Sequence, residues 1–175
     1  RRSLEEGRLF RMLQYDALEW QLRELSCGSE VLELSCENDA EKSVVLEALS
    51  KRRNRTFKSV TFSYVRDVEF VAKVLRIVKT KELIFHSLRG AWSDEAVDAL
   101  CNMLTDDNCV EKLCFSYCCM TLGNQITKAQ TEKFKCALQE CKSLKVLQFW
   151  SDTSCEHLLP EANCKFNIEL NQAAE

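Results

Sequence analysis

Proline is nearly missing from this chain: Pro160 stands alone among 175 residues, and glycine occurs only four times. Pro- and Gly-rich stretches are what loosen a chain into separately folding parts, so no flexible linker divides this one. A single domain is expected, with an N-terminal capping helix region over residues 1–28, five strand-helix repeats over 29–153 and a C-terminal cap and tail over 154–175. No apolar run approaches the length of a membrane span, and the N-terminus lacks the pattern of a signal peptide. No membrane partner is therefore expected, and the chain is placed in the cytoplasm or nucleus. Beginning at Arg1 without Met, it reads as part of something longer.

Catalytic signatures are equally scarce. His86 and His157 are the only histidines, and neither stands in a nucleophile-base arrangement that sequence can reveal. Glycine-rich phosphate loops, H-E-x-x-H pairs and dinucleotide fingerprints are missing. The acidic pairs Glu5-Glu6 and Asp106-Asp107 are adjacent rather than convergent, as solvated turns or helix faces would be. No enzymatic activity and no cofactor are expected.

An excess of positive charge is also lacking, since 24 Lys and Arg against 27 Asp and Glu leave a net charge of -3 and no general attraction to nucleic acid. The one basic cluster, Lys51-Arg52-Arg53-Asn54-Arg55, falls where a helix ends and the next strand begins. It reads first as a solvated loop with cations near a negative helix terminus, diluted by Glu41 and Glu47. The alternative is a phosphate-binding patch through Lys51, Arg52, Arg53 and Arg55, which would make the chain an RNA-associated adaptor.

Cysteine, by contrast, is abundant, with eleven residues. The odd count and the absence of paired C-x-x-C elements argue for reduced thiols rather than a disulfide framework. Cys101, Cys136 and Cys141 fall on or beside apolar helix faces, where a thiol acts as a small hydrophobe. Cys109, Cys114, Cys118 and Cys119 crowd together near His86 in the repeat, a set from which zinc ligands could be drawn. Strand alternation turns Cys114 away from Leu113 and Phe115 and sends Cys118 and Cys119 in different directions, so no metal site is expected.

The chain's most informative feature is recurrence. A short strand-like phrase returns as Val31-Leu32-Glu33-Leu34, Ser59-Val60-Thr61-Phe62, Glu82-Leu83-Ile84-Phe85, Lys112-Leu113-Cys114-Phe115 and Val146-Leu147-Gln148-Phe149. With Leu32, Val60, Leu83, Leu113 and Leu147 taken as equivalent, the second apolar residue is always two positions on, the period of a strand. Three residues earlier stand Phe57, Val110 and Leu144, while Ser29 and Thr80 break the rule. Between strands the period lengthens to that of a helix, in Val71, Val74, Leu75 and Val78, in Val97, Leu100, Cys101 and Leu104, and in Phe134, Ala137, Leu138 and Cys141. Val44, Val45, Ala48 and Leu49 form a shorter version. Asp67, Ser93 and the Thr127–Gln130 pair supply N-terminal capping signals.

This phrase and its spacing resemble the leucine-rich repeat family, in the long strand-helix units of its ribonuclease-inhibitor-like branch, over roughly Ser29 to Ser151. The resemblance implies an α/β solenoid with a parallel sheet on the concave side and helices on the convex side. The family's phrase continues to an Asn or Cys three residues past the last strand apolar, where this chain has Glu37, Val65, Leu88, Cys118 and Asp152. Only Cys118 fits, so an unevenly curved array without the family's buried hydrogen-bond ladder is expected. The Phe-rich phrases also resemble the repeat regions of nematode F-box-associated proteins. That likeness implies a substrate-recognition region of a ubiquitin ligase.

The residues between and just after the core apolars should project from the open, concave face. They are Glu33, Ser35 and Cys36; Thr61, Ser63 and Tyr64; Ile84, His86 and Ser87; Cys114, Ser116 and Tyr117; Gln148, Trp150 and Ser151. Charge is scarce among them, and Tyr64, His86, Tyr117 and Trp150 offer large amphipathic rings with Ser63 and Ser116 between. Protein-binding surfaces favour that composition, because rings give contact area at low entropic cost. A non-catalytic protein-interaction module is expected, part of a larger scaffold or adaptor, its partner a helix or extended peptide lying on a strip on the order of 20 Å across. Alternatively, the rings merely cover the sheet, or a terminal segment folds over it.

The segment from Leu4 to Leu25 is rich in helix formers, and its apolar residues would cover the exposed edge of the first repeat. Phe10, Tyr15 and Trp20 widen that stripe, which leaves a partner or dimerisation helix as the alternative. At the other end Phe166, Ile168 and Leu170 alternate as a sixth, shorter strand would.

Overall fold

A computed structural model describes residues 30–35, 38–51, 56–88, 90–106, 109–116, 126–150, 158–159 and 166–171. The order of elements is β1 (Val31–Leu34), α1 (Asp39–Ser50), β2 (Thr56–Ser63), α2 (Val68–Leu75), β3 (Lys79–His86), α3 (Asp94–Thr105), β4 (Lys112–Ser116), α4 (Lys128–Glu140), β5 (Val146–Trp150) and β6 (Asn167–Asn171). The repeated phrase lies within β1 to β5, and the helical stripes fall on α1 to α4 except for their last members Val78 and Cys141, which lie just past the ends of α2 and α4. Expectations resting on residues 1–29, including Phe10, Tyr15 and Trp20, lie outside the described residues.

The strands form one sheet in the order β1-β2-β3-β4-β5-β6, every neighbouring pair parallel. Register follows the repeat: Leu32, Val60, Leu83, Leu113, Leu147 and Ile168 sit opposite one another in turn. Two residues on, Leu34, Phe62, Phe85, Phe115, Phe149 and Leu170 make a second row. β6 is as long as β4 and β5, so the region read as a C-terminal cap extends the sheet by a full strand. Among the described residues no helix is long and apolar enough to cross a membrane.

Each helix returns the chain to the next parallel strand and packs on its neighbours, α1 on α2, α2 on α3 and α3 on α4, so the helices lie together on one face of the sheet. That face holds the core. The rings of Phe62, Phe85, Phe115 and Phe149 stack in a column with centroids 5.4, 5.1 and 5.4 Å apart and planes within 13° of parallel. Offset stacking at such separations adds to burial. Trp92, before α3, and Phe134 of α4 meet the column edge-on at Phe85 and Phe115. Val65 and Leu88, at the position where the family-like phrase asks for Asn or Cys, are fully buried, so apolar packing replaces side-chain hydrogen bonding there.

The caps are built as the sequence indicates. The side chains of Asp67 and Ser93 accept from the N–H groups of Phe70 and Ala96, and Thr127 and Gln130 form a reciprocal capping box. Asn38 caps α1 in the same way through Glu41. The Gln130 amide also donates to the Trp92 carbonyl and to Asp94, tying the start of α4 to the start of α3. One helical expectation differs: Val44 is 41% exposed, so the inward stripe of α1 is narrower than the periodicity suggests, while Phe134, Ala137, Leu138 and Cys141 are all buried and Cys136 beside them is exposed. Thr80, which breaks the apolar rule, is buried with its hydroxyl donating to the Glu82 carbonyl.

Candidate functional site

The face opposite the helices carries Glu33, Thr61, Ile84, Cys114, Gln148 and Glu169 in a middle row set by the strand register. Cys114 and Gln148 are buried, whereas Glu33 and Glu169 at the two ends are exposed. Burial pushes the Cys114 thiol above its ordinary range, against the pull of Lys112. A buried thiol of that kind is a poor nucleophile.

At the C-terminal ends of the strands the register aligns Ser63, His86, Ser116 and Trp150. Tyr64, one residue past β2, takes a left-handed φ of 57°, and Ser87 takes 53° at the equivalent place after β3. Both remain in the ladder, Tyr64 N–H donating to the His86 carbonyl and Ser87 N–H to the Ser116 carbonyl. Such a φ is strained for a residue with a Cβ, and strain of this kind concentrates at functional places. Here it lays Tyr64 edge-on to His86, centroids 5.3 Å apart and planes at 90°. The His86 imidazole Nδ1 lies 3.2 Å from the Ser116 hydroxyl.

The predicted contact residues therefore divide by exposure. Tyr64 is 65% exposed and Trp150 44%, His86 and Ser116 are half-buried, and Ser63 is only 6% exposed, its hydroxyl donating to the Glu33 carboxylate. Ser63 is thus the least exposed of the predicted contact residues that the structure describes. Tyr117 and the cluster Arg52, Arg53 and Arg55 lie outside the described residues, and Lys51 is an exposed side chain paired with Glu47 at 2.7 Å. Among the described residues no three His, Cys, Asp or Glu side chains converge as metal ligands, and Cys109 donates to the Thr80 carbonyl.

The opposite, N-terminal ends of the strands hold a second feature. A groove of roughly 650 Å³ crosses β2 to β5, lined by Lys58, Lys81, Lys112 and Lys145 together with Glu30, Glu82 and Glu111 and with Thr56, Phe57 and Val146. Lys81 and Lys145 flank Glu111 and both pair with it. Hydrogen bonding and charge from Lys145, aided by Lys81, hold the Glu111 carboxyl below its ordinary range. This charged edge follows from a signal present in the sequence: the residue two before each core apolar is Glu30, Lys58, Lys81, Glu111 and Lys145.

The strand order never reverses, so the sheet lacks the switch-point crevice in which doubly wound sheets hold nucleotides. No family model, no curated protein and no solved structure matches the chain.

Proposed function

We propose that the chain is a leucine-rich-repeat-like solenoid that acts as a non-catalytic protein-interaction module, gripping a partner segment along the C-terminal edge of its sheet. Strands stand about 4.8 Å apart while packed helices need about 8–10 Å. With one helix behind most strands, a stack of such units relieves the mismatch by curving with the strands inside. The exposed pair Tyr64 and Trp150 carries the functional reading, because two large rings stand out on an edge whose intervening groups are a hydroxyl and an imidazole. Trp150 ends β5 and Tyr64 follows directly on β2, three strand spacings away, about 14 Å. Rings held this way bury area without stripping water from charges, which is what the centre of an interface requires.

The test is affinity capture with the intact chain and with Tyr64→Ala/Trp150→Ala, each checked for an unchanged fold by circular dichroism. Partners retained by the intact chain should be lost from the double variant. Tyr64→Phe, which keeps the ring, should retain them. Partners equally retained by the Ala variant would move the interface away from this edge.

A further inference from the structure

We propose that the charged groove at the N-terminal ends of the strands is a second docking surface, one that takes an acidic peptide segment with carboxylates three residues apart. Four lysines line it against three glutamates, so the groove is cationic on a chain whose overall charge is -3. The lysines are not equivalent. Lys81 and Lys145 share Glu111, whereas Lys58 and Lys112 form no ion pair among the described residues. These two ammonium groups are the ones an incoming anion can engage without breaking an existing pair.

Their placement sets the spacing of the ligand. Lys58 lies in β2 and Lys112 in β4, two strand separations apart and one residue out of register, since Lys112 is level with Ser59 and Glu82, or about 10 Å on the diagonal. A segment running from one to the other crosses the strands and cannot join the sheet as a further strand. Its backbone must then be satisfied by water, as in the extended polyproline II form, where residues i and i+3 return to one side after about 9.3 Å. Carboxylates at that interval meet Lys58 and Lys112 together. Glu30, Glu82 and Glu111 select further: a polynucleotide presents a phosphate at every residue and would press some against these carboxylates, while a peptide can leave those places neutral.

Fluorescence anisotropy of the full chain with a labelled synthetic peptide of Glu-x-x-Glu repeats, its Gln counterpart and oligouridylate tests this. The Glu peptide should bind at least about tenfold more tightly than the Gln peptide and weaken as salt rises from about 50 to 300 mM. Lys58→Gln/Lys112→Gln should lose that preference, Lys58→Arg/Lys112→Arg should keep it, and Tyr64→Ala/Trp150→Ala should leave it unchanged. Equal binding of the Glu and Gln peptides, undiminished binding by the Gln variant, tighter binding of oligouridylate, or no binding of any probe would each overturn the proposal.

Discussion

At the C-terminal ends of its strands the sheet presents rings and hydroxyls, and at the N-terminal ends ammonium groups and carboxylates, although both edges belong to the same strands. The backbone differs as well. Every positive φ among the described residues, at Tyr64, Ser87 and Gly90, occurs where the chain leaves β2 or β3, on the aromatic side. The ion pairs differ in the same sense. Lys42, with 14% of its side chain exposed, joins Asp67 at 2.8 Å beside the helix starts that follow the strands, while the Lys145 and Lys81 pairs to Glu111 are solvent-facing. One edge is held in shape by its backbone and a part-buried ion pair; the other consists of long, solvent-facing side chains. A preorganised edge contributes affinity through a low ordering cost, whereas a flexible charged edge contributes encounter rate and responds to salt.

Both edges hang on the phenylalanine column between them, so the largest effect should come from there. Phe115 stacks on Phe85 and Phe149 and meets Phe134, with no exposed surface. Phe115→Ala should cost about 3–5 kcal/mol, as large-to-small core changes do. Denaturant unfolding measures it, and a loss under about 1 kcal/mol would mean that the edges do not share this support. Binding at the two edges should decline together as the variant unfolds, in contrast to the separable edge variants.

A smaller and more local effect should come from Tyr64. Since its φ of 57° favours a residue without a Cβ, Tyr64→Gly should be more stable than Tyr64→Ala by about 1 kcal/mol. Neither retains the ring, so neither should retain the partners proposed for the aromatic edge. If Ala proves as stable as Gly, the strain assigned to that edge is absent, and with it the argument for preorganisation.

The strands were legible because burial leaves a period of two that the five phrases repeat, and the register of Leu32, Val60, Leu83, Leu113 and Leu147 follows directly from aligning them. Capping was legible at Asp67, Ser93 and Thr127, and the same logic applied to Asn38, three residues before Glu41, would have found the start of α1. The exposure of Val44 was not legible, since a four-residue stripe does not say how much of it the neighbouring helix covers. The aromatic edge could be read because alternation leaves Tyr64 and Trp150 outside the core. The charged edge went unread because the flanking lysines and glutamates, taken one phrase at a time, look like ordinary solvated residues. Only when the phrases are superposed do Glu30, Lys58, Lys81, Glu111 and Lys145 occupy a single row.

The contrast between the two sets of ion pairs can be sharpened with acid. Burial tends to raise the Asp67 carboxyl, but hydrogen bonds from Lys42 and from the Phe70 N–H, with the charge of Lys42, outweigh it and leave the group below its ordinary 3.8. Lys42 is shifted the other way, above 10.5, chiefly by its hydrogen bond to Asp67. A carboxyl lowered in the folded state stabilises above the unfolded value and loses that contribution as pH falls through the folded one; an amine raised in the folded state contributes fully below its unfolded value and loses that contribution as pH rises through the folded one. The pair is thus constant between about pH 5 and 9 and weakens below about pH 4. Asp67→Asn keeps a capping side chain and loses the charge, whereas Asp67→Ala loses both, with the cap alone worth about 1 kcal/mol. Asn should therefore be the more stable at neutral pH, and in both variants the fall in stability on acidification from pH 5 to 3, measured by denaturant titration, should be shallower than in the parent. An unchanged acid slope in both would place Asp67 in the same solvent-screened class as Glu111 and remove the electrostatic half of the difference between the two edges.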